Sequence, residues 1–298
     1  MDRSKLTTEK RNPRSADIDR KSTLEIVSII NSEDARVAAA VGRQRRQIAH
    51  AVDLIVESFR SGGRLFYVGA GTSGRLGVLD ASECPPTYGV PRTLVQGIIA
   101  GGRRALVRSI EGAEDDAAAG QCAIEKYRVG SRDTVVGIAA CGVTPFVRGA
   151  IAAAAKIGAK TAFVTCAPEA RHLLKVDVVI AAVAGPEVIT GSTRMKAGTA
   201  TKLILNTLTT AAMIRTGKVY GNLMVDLRAT NAKLQDRSER IVMAAAGVSR
   251  SRARLLLKHA AGRAKAAILM AVIGCNAATA KAKLKTSGGS LRKAISHG

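Results

Sequence analysis

The sequence predicts an α/β fold: a central parallel five-stranded sheet in a three-layer sandwich, N-terminal helices before it and a small helical C-terminal domain after it. Three observations carry this reading. Between residues 64 and 183, five short β-rich runs alternate with stretches able to form helices. Near-continuous apolar strands separated by helices require a sheet covered on both faces. The loops after the first, third and fifth runs are rich in Gly, Ser and Thr, and in such folds ligands sit beyond the carboxyl ends of the strands. After residue 231 the strand pattern gives way to short, basic, Ala-rich helical segments.

The elements follow in order. Ser22-Thr23-Leu24-Glu25 forms a capping box, in which Ser and Glu each satisfy a free backbone amide. Ile48, Val52, Ile55, Val56 and Phe59 fall on one helical face, and Gly62-Gly63 ends that helix. The strand runs are 64–68, 93–99, 133–140, 160–165 and 176–183. A long helix is expected over 194–218, with Ile204, Leu205, Leu208, Ala211 and Ala212 as its apolar stripe. The expected division is an N-terminal arm with helices (1–60), an α/β domain (61–230) and a small basic helical domain (231–298).

Composition sets limits. The chain has 298 residues, 47% hydrophobic and 23% charged, which is ordinary globular usage. Disordered, collagen-like and coiled-coil classes are thereby excluded. The longest apolar run, 266–275, is half of the ~20 residues a membrane helix needs. Met1-Asp2-Arg3-Ser4-Lys5 leads into no apolar h-region. Five cysteines (84, 122, 141, 166 and 275) form no CxxC pair, which fits a reducing compartment. A cytoplasmic protein without membrane contact is expected.

The charge is the unusual quantity. Forty-six Lys+Arg stand against 23 Asp+Glu, for a net +23. Residues 235–298 hold 13 Lys or Arg and 2 Asp or Glu, a net +11. Basic proteins attract polyanions. Yet aromatics are 3% and Trp is absent, so little is available to stack on bases. The bland reading is a solvated basic helical surface, and nucleic acid is not the expected partner.

The loops hold the candidate chemistry. Gly69-Ala70-Gly71-Thr72-Ser73-Gly74 satisfies G-x-G-x-x-G, but no acidic residue closes the second strand to hold a ribose. Thr72 and Ser73, at a helix start, suit a sugar or a phosphate instead. Ala140-Cys141-Gly142-Val143-Thr144-Pro145 reads either as an anion nest or as a plain βα turn. Ser192 and Thr193 can cap the long helix. Arg194 and Lys196 in its first turn oppose the helix dipole, a conflict that a bound anion would offset and solvent exposure would avoid. Glu83 and Glu114 are expected to follow helices, in non-periodic segments. Paired carboxylates can take acid and base roles when their environments separate their pKa values.

Several motifs together resemble the N-acetylmuramic acid 6-phosphate etherase family. They are 69–77; Asp80-Ala81-Ser82-Glu83-Cys84-Pro85-Pro86-Thr87; Glu111-Gly112-Ala113-Glu114-Asp115; and 190–199 around Ser192 and Lys196. Thr8-Glu9-Lys10-Arg11-Asn12, 221–226 and Asn231 add to the likeness, which covers almost the whole chain. The resemblance implies a sugar-isomerase (SIS) sandwich with no metal or organic cofactor. It further implies a cytoplasmic homodimer that cleaves the D-lactyl ether of N-acetylmuramic acid 6-phosphate in cell-wall recycling. By the same resemblance Glu83 is the acid, Glu114 the C2 base, Thr72 and Ser73 sugar contacts, and Cys141 and Thr144 flank the 6-phosphate. Ser192 and Lys196 are the further substrate contacts. The family usually reads Ala-Ser-Gly-Arg-Thr-Pro where this chain has residues 140–145, so a weaker donor and one fewer cation stand there. Two other readings share the fold: a sugar-phosphate isomerase, and a non-catalytic sugar-phosphate-binding regulator resembling glucokinase regulatory protein.

Overall fold

The computed structural model describes residues 3–227 and 232–296. Asn231 and the expected boundary at 230/231 lie outside the described residues. The chain forms two compact units, Met1–Ser82 with Thr93–Thr209, and Glu83–Arg92 with Thr210–Gly298.

In the first unit the arm forms short 3-10 turns that lie on their own chain. Leu6 is fully buried. Thr7 Oγ1 donates to Glu169 Oε1 (2.7 Å) and Ser15 Oγ to the Val188 carbonyl (2.7 Å). The arm leads into α1 (Thr23–Asp34), where Ser22 and Glu25 make the reciprocal capping box that the sequence predicts. After α2 (Val37–Gly42), α3 (Arg45–Arg60) buries Ile48, Val52, Ile55 and Val56.

The sheet then begins. In chain order come β1 (Leu65–Gly69), α4 (Gly71–Tyr88), β2 (Val95–Ile99), α5 (Ala117–Lys126), β3 (Thr134–Ile138), α6 (Pro145–Ile157), β4 (Lys160–Thr165), β5 (Val178–Ala181) and α7 (Lys196–Arg215). All neighbours are parallel, in the order β2-β1-β3-β4-β5. The order reverses between β1 and β3, so the crevice for a ligand opens beyond their carboxyl ends. Every residue of β1 and β3 is buried. Phe66, Val68 and Val135 pack with Ile124, Phe146 and Val147 on the α5–α6 face. Tyr67 faces the other layer, where its hydroxyl donates to the Leu205 carbonyl of α7 (3.3 Å).

Two expectations need correction. Glu83 lies inside α4, not after it: the helix runs through Pro85 and Pro86 to Tyr88. Buried Cys84 and Tyr88 anchor its last turns, which outweighs the two backbone donors the prolines lack. Asp133 precedes the third strand instead of opening it. Its carboxylate is taken by the backbone N–H groups of Arg64 (2.8 Å) and Gly130 (2.9 Å) and by the Arg64 guanidinium (2.8 Å).

The second unit carries α8 (Ala232–Ala246), α9 (Arg250–His259), α10 (Ala264–Ile273), α11 (Ala277–Thr286) and α12 (Leu291–Ser296). Its centre is α10, apolar on all sides and buried from Ala264 to Met270. This is the longest apolar run of the sequence, and no single described helix is long and apolar enough to cross a membrane.

Helices α5 and α6 meet through two glycines. A Cβ on Gly120 would stand 2.0 Å from the Phe146 carbonyl oxygen, and one on Gly149 2.0 Å from that of Ala117. Gly149→Ala therefore forces backbones apart and should cost about 1–3 kcal/mol. Thermal denaturation measures it, and an unchanged Tm would show that the helices separate at no cost.

Candidate functional site

The site grows from the loops after β1 and β3. At the first, a Cβ on Gly69 would stand 2.7 Å from the Gly74 nitrogen, and Gly71 has a φ of +52°. The chain therefore turns at once into α4. Thr72 and Ser73 lie half-buried in its first turn, and their hydroxyls hold no hydrogen bond among the described residues. Thr72 also touches the start of α7: its Cγ2 would be 3.6 Å from a Cβ on Gly198.

At the second loop, Gly142 is pressed against Ala170, where a Cβ would meet the Ala170 Cβ at 1.9 Å. Thr144 is the N-cap of α6, yet its hydroxyl makes no capping bond. The Glu114 carbonyl accepts from the Phe146 N–H in the first turn of α6 (3.0 Å). The carboxylate-bearing turn is thus tied directly to the loop holding Cys141 and Thr144.

Glu114 lines two small cavities. One of about 180 Å³ brings it together with Glu9, Asp115, Cys141 and Thr144. The other, about 140 Å³, lies between Glu114, Gly71, Arg75 and Arg108. Among the described residues, no lysine or arginine lines the first cavity, whereas two arginines line the second. Glu83 is exposed on α4 and belongs to the second unit, so the two candidate carboxylates are carried by different units. Among the described residues, no group of three or more His, Cys, Asp or Glu side chains is placed to hold a metal ion.

Of the predicted residues on α7 and the turn before it, Ser192 is half-buried and Lys196 is fully buried. The Lys196 Nζ donates to Glu33 Oε2 (2.5 Å) and to the Ala184 carbonyl (3.1 Å). The cation neither points into water nor waits for an external anion. Arg194, in contrast, is exposed. Ser192 and Thr193 are not the caps of α7. Glu187 is: its carboxylate accepts from the backbone N–H groups of Lys196 and Ala197 (both 2.9 Å). Burial pushes the Glu187 carboxyl up, against the pull of those two amides.

Glu33 was not legible as part of this region. It is 1% exposed and accepts from Lys196, from Asn12 Nδ2 (2.9 Å) and from the Arg14 guanidinium. The Arg14 hydrogen bond, then those of Lys196 and Asn12, overcome burial and bring its carboxyl down to about 2. The available signal was Lys196 itself, since a lysine at a positive helix end calls for a carboxylate nearby. Two further groups mark the surroundings. Burial raises the Asp80 carboxyl, which accepts from Asn206 (2.6 Å) and Thr209 (3.1 Å). Burial also pushes the Cys166 thiol up to about 12, leaving an unreactive packing residue.

Comparisons place this geometry among known proteins. Residues 47–155 match the glucokinase regulatory protein N-terminal SIS domain. An N-acetylmuramic acid 6-phosphate etherase of Photorhabdus laumondii is 53% identical over 98% of this chain and 97% of its own. One from Aeromonas hydrophila is 52% identical over 97% of both chains. A solved structure from Bacteroides fragilis, assigned as a phosphosugar isomerase involved in capsule formation, shares the fold. It is 20% identical, has a TM-score of 0.50, and covers 67% of this chain and 95% of its own.

The Glu33 cluster sets a pH test. Its carboxyl in the fold, at about 2, lies below its ordinary 4.5, so its contribution is present at neutral pH and disappears as pH falls from 4.5 to about 2. Glu33→Gln leaves Lys196 buried without a counter-charge and should cost about 3–5 kcal/mol. Thermal denaturation across that window should show a smaller acid-induced drop in Tm for the variant. Parallel curves would mean that other carboxylates govern acid unfolding.

Proposed function

We propose, for a chain that belongs to the N-acetylmuramic acid 6-phosphate etherase family, that Glu83 and Glu114 divide the acid and base work of ether cleavage. The chain is a carbon–oxygen lyase of amino-sugar recycling. It converts N-acetylmuramic acid 6-phosphate into N-acetylglucosamine 6-phosphate and D-lactate. The observation that carries this is 53% identity over nearly the full length of both chains.

The chemistry explains the residue types. An unactivated ether resists direct hydrolysis. Opening the sugar ring turns C1 into an aldehyde and makes the C2 proton acidic. Glu114 takes that proton, and the electron pair left on C2 expels lactate from C3. Glu83 protonates the departing oxygen, which leaves a C2–C3 alkene. Glu83 then removes a proton from water as it adds to C3, and C2 is reprotonated. Glu114 suits the base role because its turn is fastened to α6 and the residue lines both cavities. Thr72 and Ser73 contact the sugar. Cys141, Thr144 and the amides around Gly142 receive the 6-phosphate. Ser192 borders the sugar beside Thr72, and Lys196 acts from behind, holding the start of α7. The working division is an α/β domain over 61–230 that binds the sugar phosphate, between the arm and a basic helical domain over 231–298.

A second reading is favoured by the match of residues 47–155 to the regulatory-protein domain: the same loops could hold a sugar phosphate without reacting. Release of D-lactate from the substrate separates the two. Removing a general acid or base costs about 10²–10⁴-fold. Glu83→Gln should lose net cleavage by that factor yet retain deuterium exchange at C2. Glu114→Gln should lose both. Exchange unchanged in Glu114→Gln would remove it as the base. The proposal includes a cytoplasmic homodimer, and a single-chain mass in light scattering at micromolar concentration would remove the dimer.

A further inference from the structure

A cavity of about 940 Å³ lies wholly within the second unit. It is more than five times the size of either cavity at Glu114, and it lies within the ~300–1,000 Å³ of small-molecule sites. Among the described residues, five basic side chains line it, Lys218, Arg263, Lys265, Lys281 and Lys285, against one carboxylate, Asp226. Asp226 is already engaged: Lys265 Nζ donates to it (2.6 Å), and Lys218 Nζ is 3.3 Å away. Lys265 is further held by the carbonyls of Gly217 (3.0 Å) and Gly289 (2.7 Å). Among the described residues no carboxylate pairs with Arg263, Lys281 or Lys285.

The cavity therefore carries an excess of four positive charges, concentrated on three side chains free to meet a ligand. The start of α10 adds to this. Ala264 and Ala266 of its first turn line the cavity, and the N-cap Arg263 makes no side-chain capping bond, so the positive end of α10 borders the same space. The floor is apolar, with Leu227 and Leu284 among its residues. An inorganic ion would leave that floor and most of the volume unused.

We propose that this cavity binds an organic polyphosphate of nucleotide size, its phosphates on Arg263, Lys281 and Lys285 and its body on the apolar floor. The probe is ATP in metal-free buffer, titrated calorimetrically into the full chain. Saturable binding at one site per chain is expected, with inorganic tripolyphosphate several-fold weaker. The exposed pair Lys281→Glu/Lys285→Glu should weaken ATP at least tenfold, and so should Arg263→Gln if the double variant misfolds. Arg252→Glu/Lys293→Glu changes the net charge equally outside the cavity and should leave affinity within twofold. Equal losses in both double variants, or no saturable binding, would overturn the site in favour of diffuse charge attraction. Tripolyphosphate binding as tightly as ATP would overturn the organic part. Displacement of ATP by N-acetylglucosamine 6-phosphate would assign the cavity to the reaction itself.

Discussion

Glu33 and Lys196 are both buried, and each would be too costly to bury alone. Removing such ions from water costs several kcal/mol apiece, so the fold tolerates them only together and with their remaining hydrogen bonds filled. Glu33 comes from α1, Lys196 from the start of α7, Arg14 and Asn12 from the arm, and the Ala184 carbonyl from the segment after β5. Closing this one cluster therefore fixes four segments that are distant in sequence. Asn12 also donates to the Pro186 carbonyl (3.3 Å), and Ser15 reaches Val188. The segment leading into α7 is thus held by the arm, and the first turn of α7 lies near Thr72, whose Cγ2 would be 3.6 Å from a Cβ on Gly198.

Several of the chain's 23 acidic residues are engaged by backbone and side-chain groups of the fold. Glu187 caps α7, Asp116 caps α5 through the Ala119 N–H (2.8 Å), and Asp177 holds Thr161 through both its amide (2.7 Å) and hydroxyl (3.0 Å). Asp133 fastens the strand starts at Arg64. These carboxylates keep their charge, but 23 Asp and Glu are too few to offset 46 Lys and Arg, and the chain is left with a net +23.

The strands were legible because a parallel sheet buries both faces, which leaves a plain apolar run with little to confuse it. Lys160–Thr165 matches the run at both ends; β1 is shifted by one residue, and β2, β3 and β5 are shorter than their runs by one or two residues at one or both ends, with Arg64 and Asp133 doing polar work where the first and third runs begin. The loops were legible as glycine and hydroxyl clusters. Glu83 was misplaced because its segment shows no helical period, whereas buried Cys84 and Tyr88 keep the last turns of α4 wound. Glu187 and Glu33 stayed hidden for a different reason. Nothing in a sequence marks a carboxylate as buried, and their partners lie nine and 163 residues away.

The loop at 140–145 shows how a site can change side chains and keep its shape. Gly142 is fixed by its contact with Ala170, and Thr165 Oγ1 donates to the Ala140 carbonyl (3.1 Å) from the next strand. The backbone path is therefore set by packing, to which Cys141 and Val143, both lying against the core, also contribute. Thr144 keeps a hydroxyl that caps nothing, at the positive end of the thirteen-residue α6. Among the described residues no cation lines the adjoining cavity, where Glu9, Glu114 and Asp115 stand, so the uncapped start of α6 and the Thr144 hydroxyl are the groups there that suit an anion.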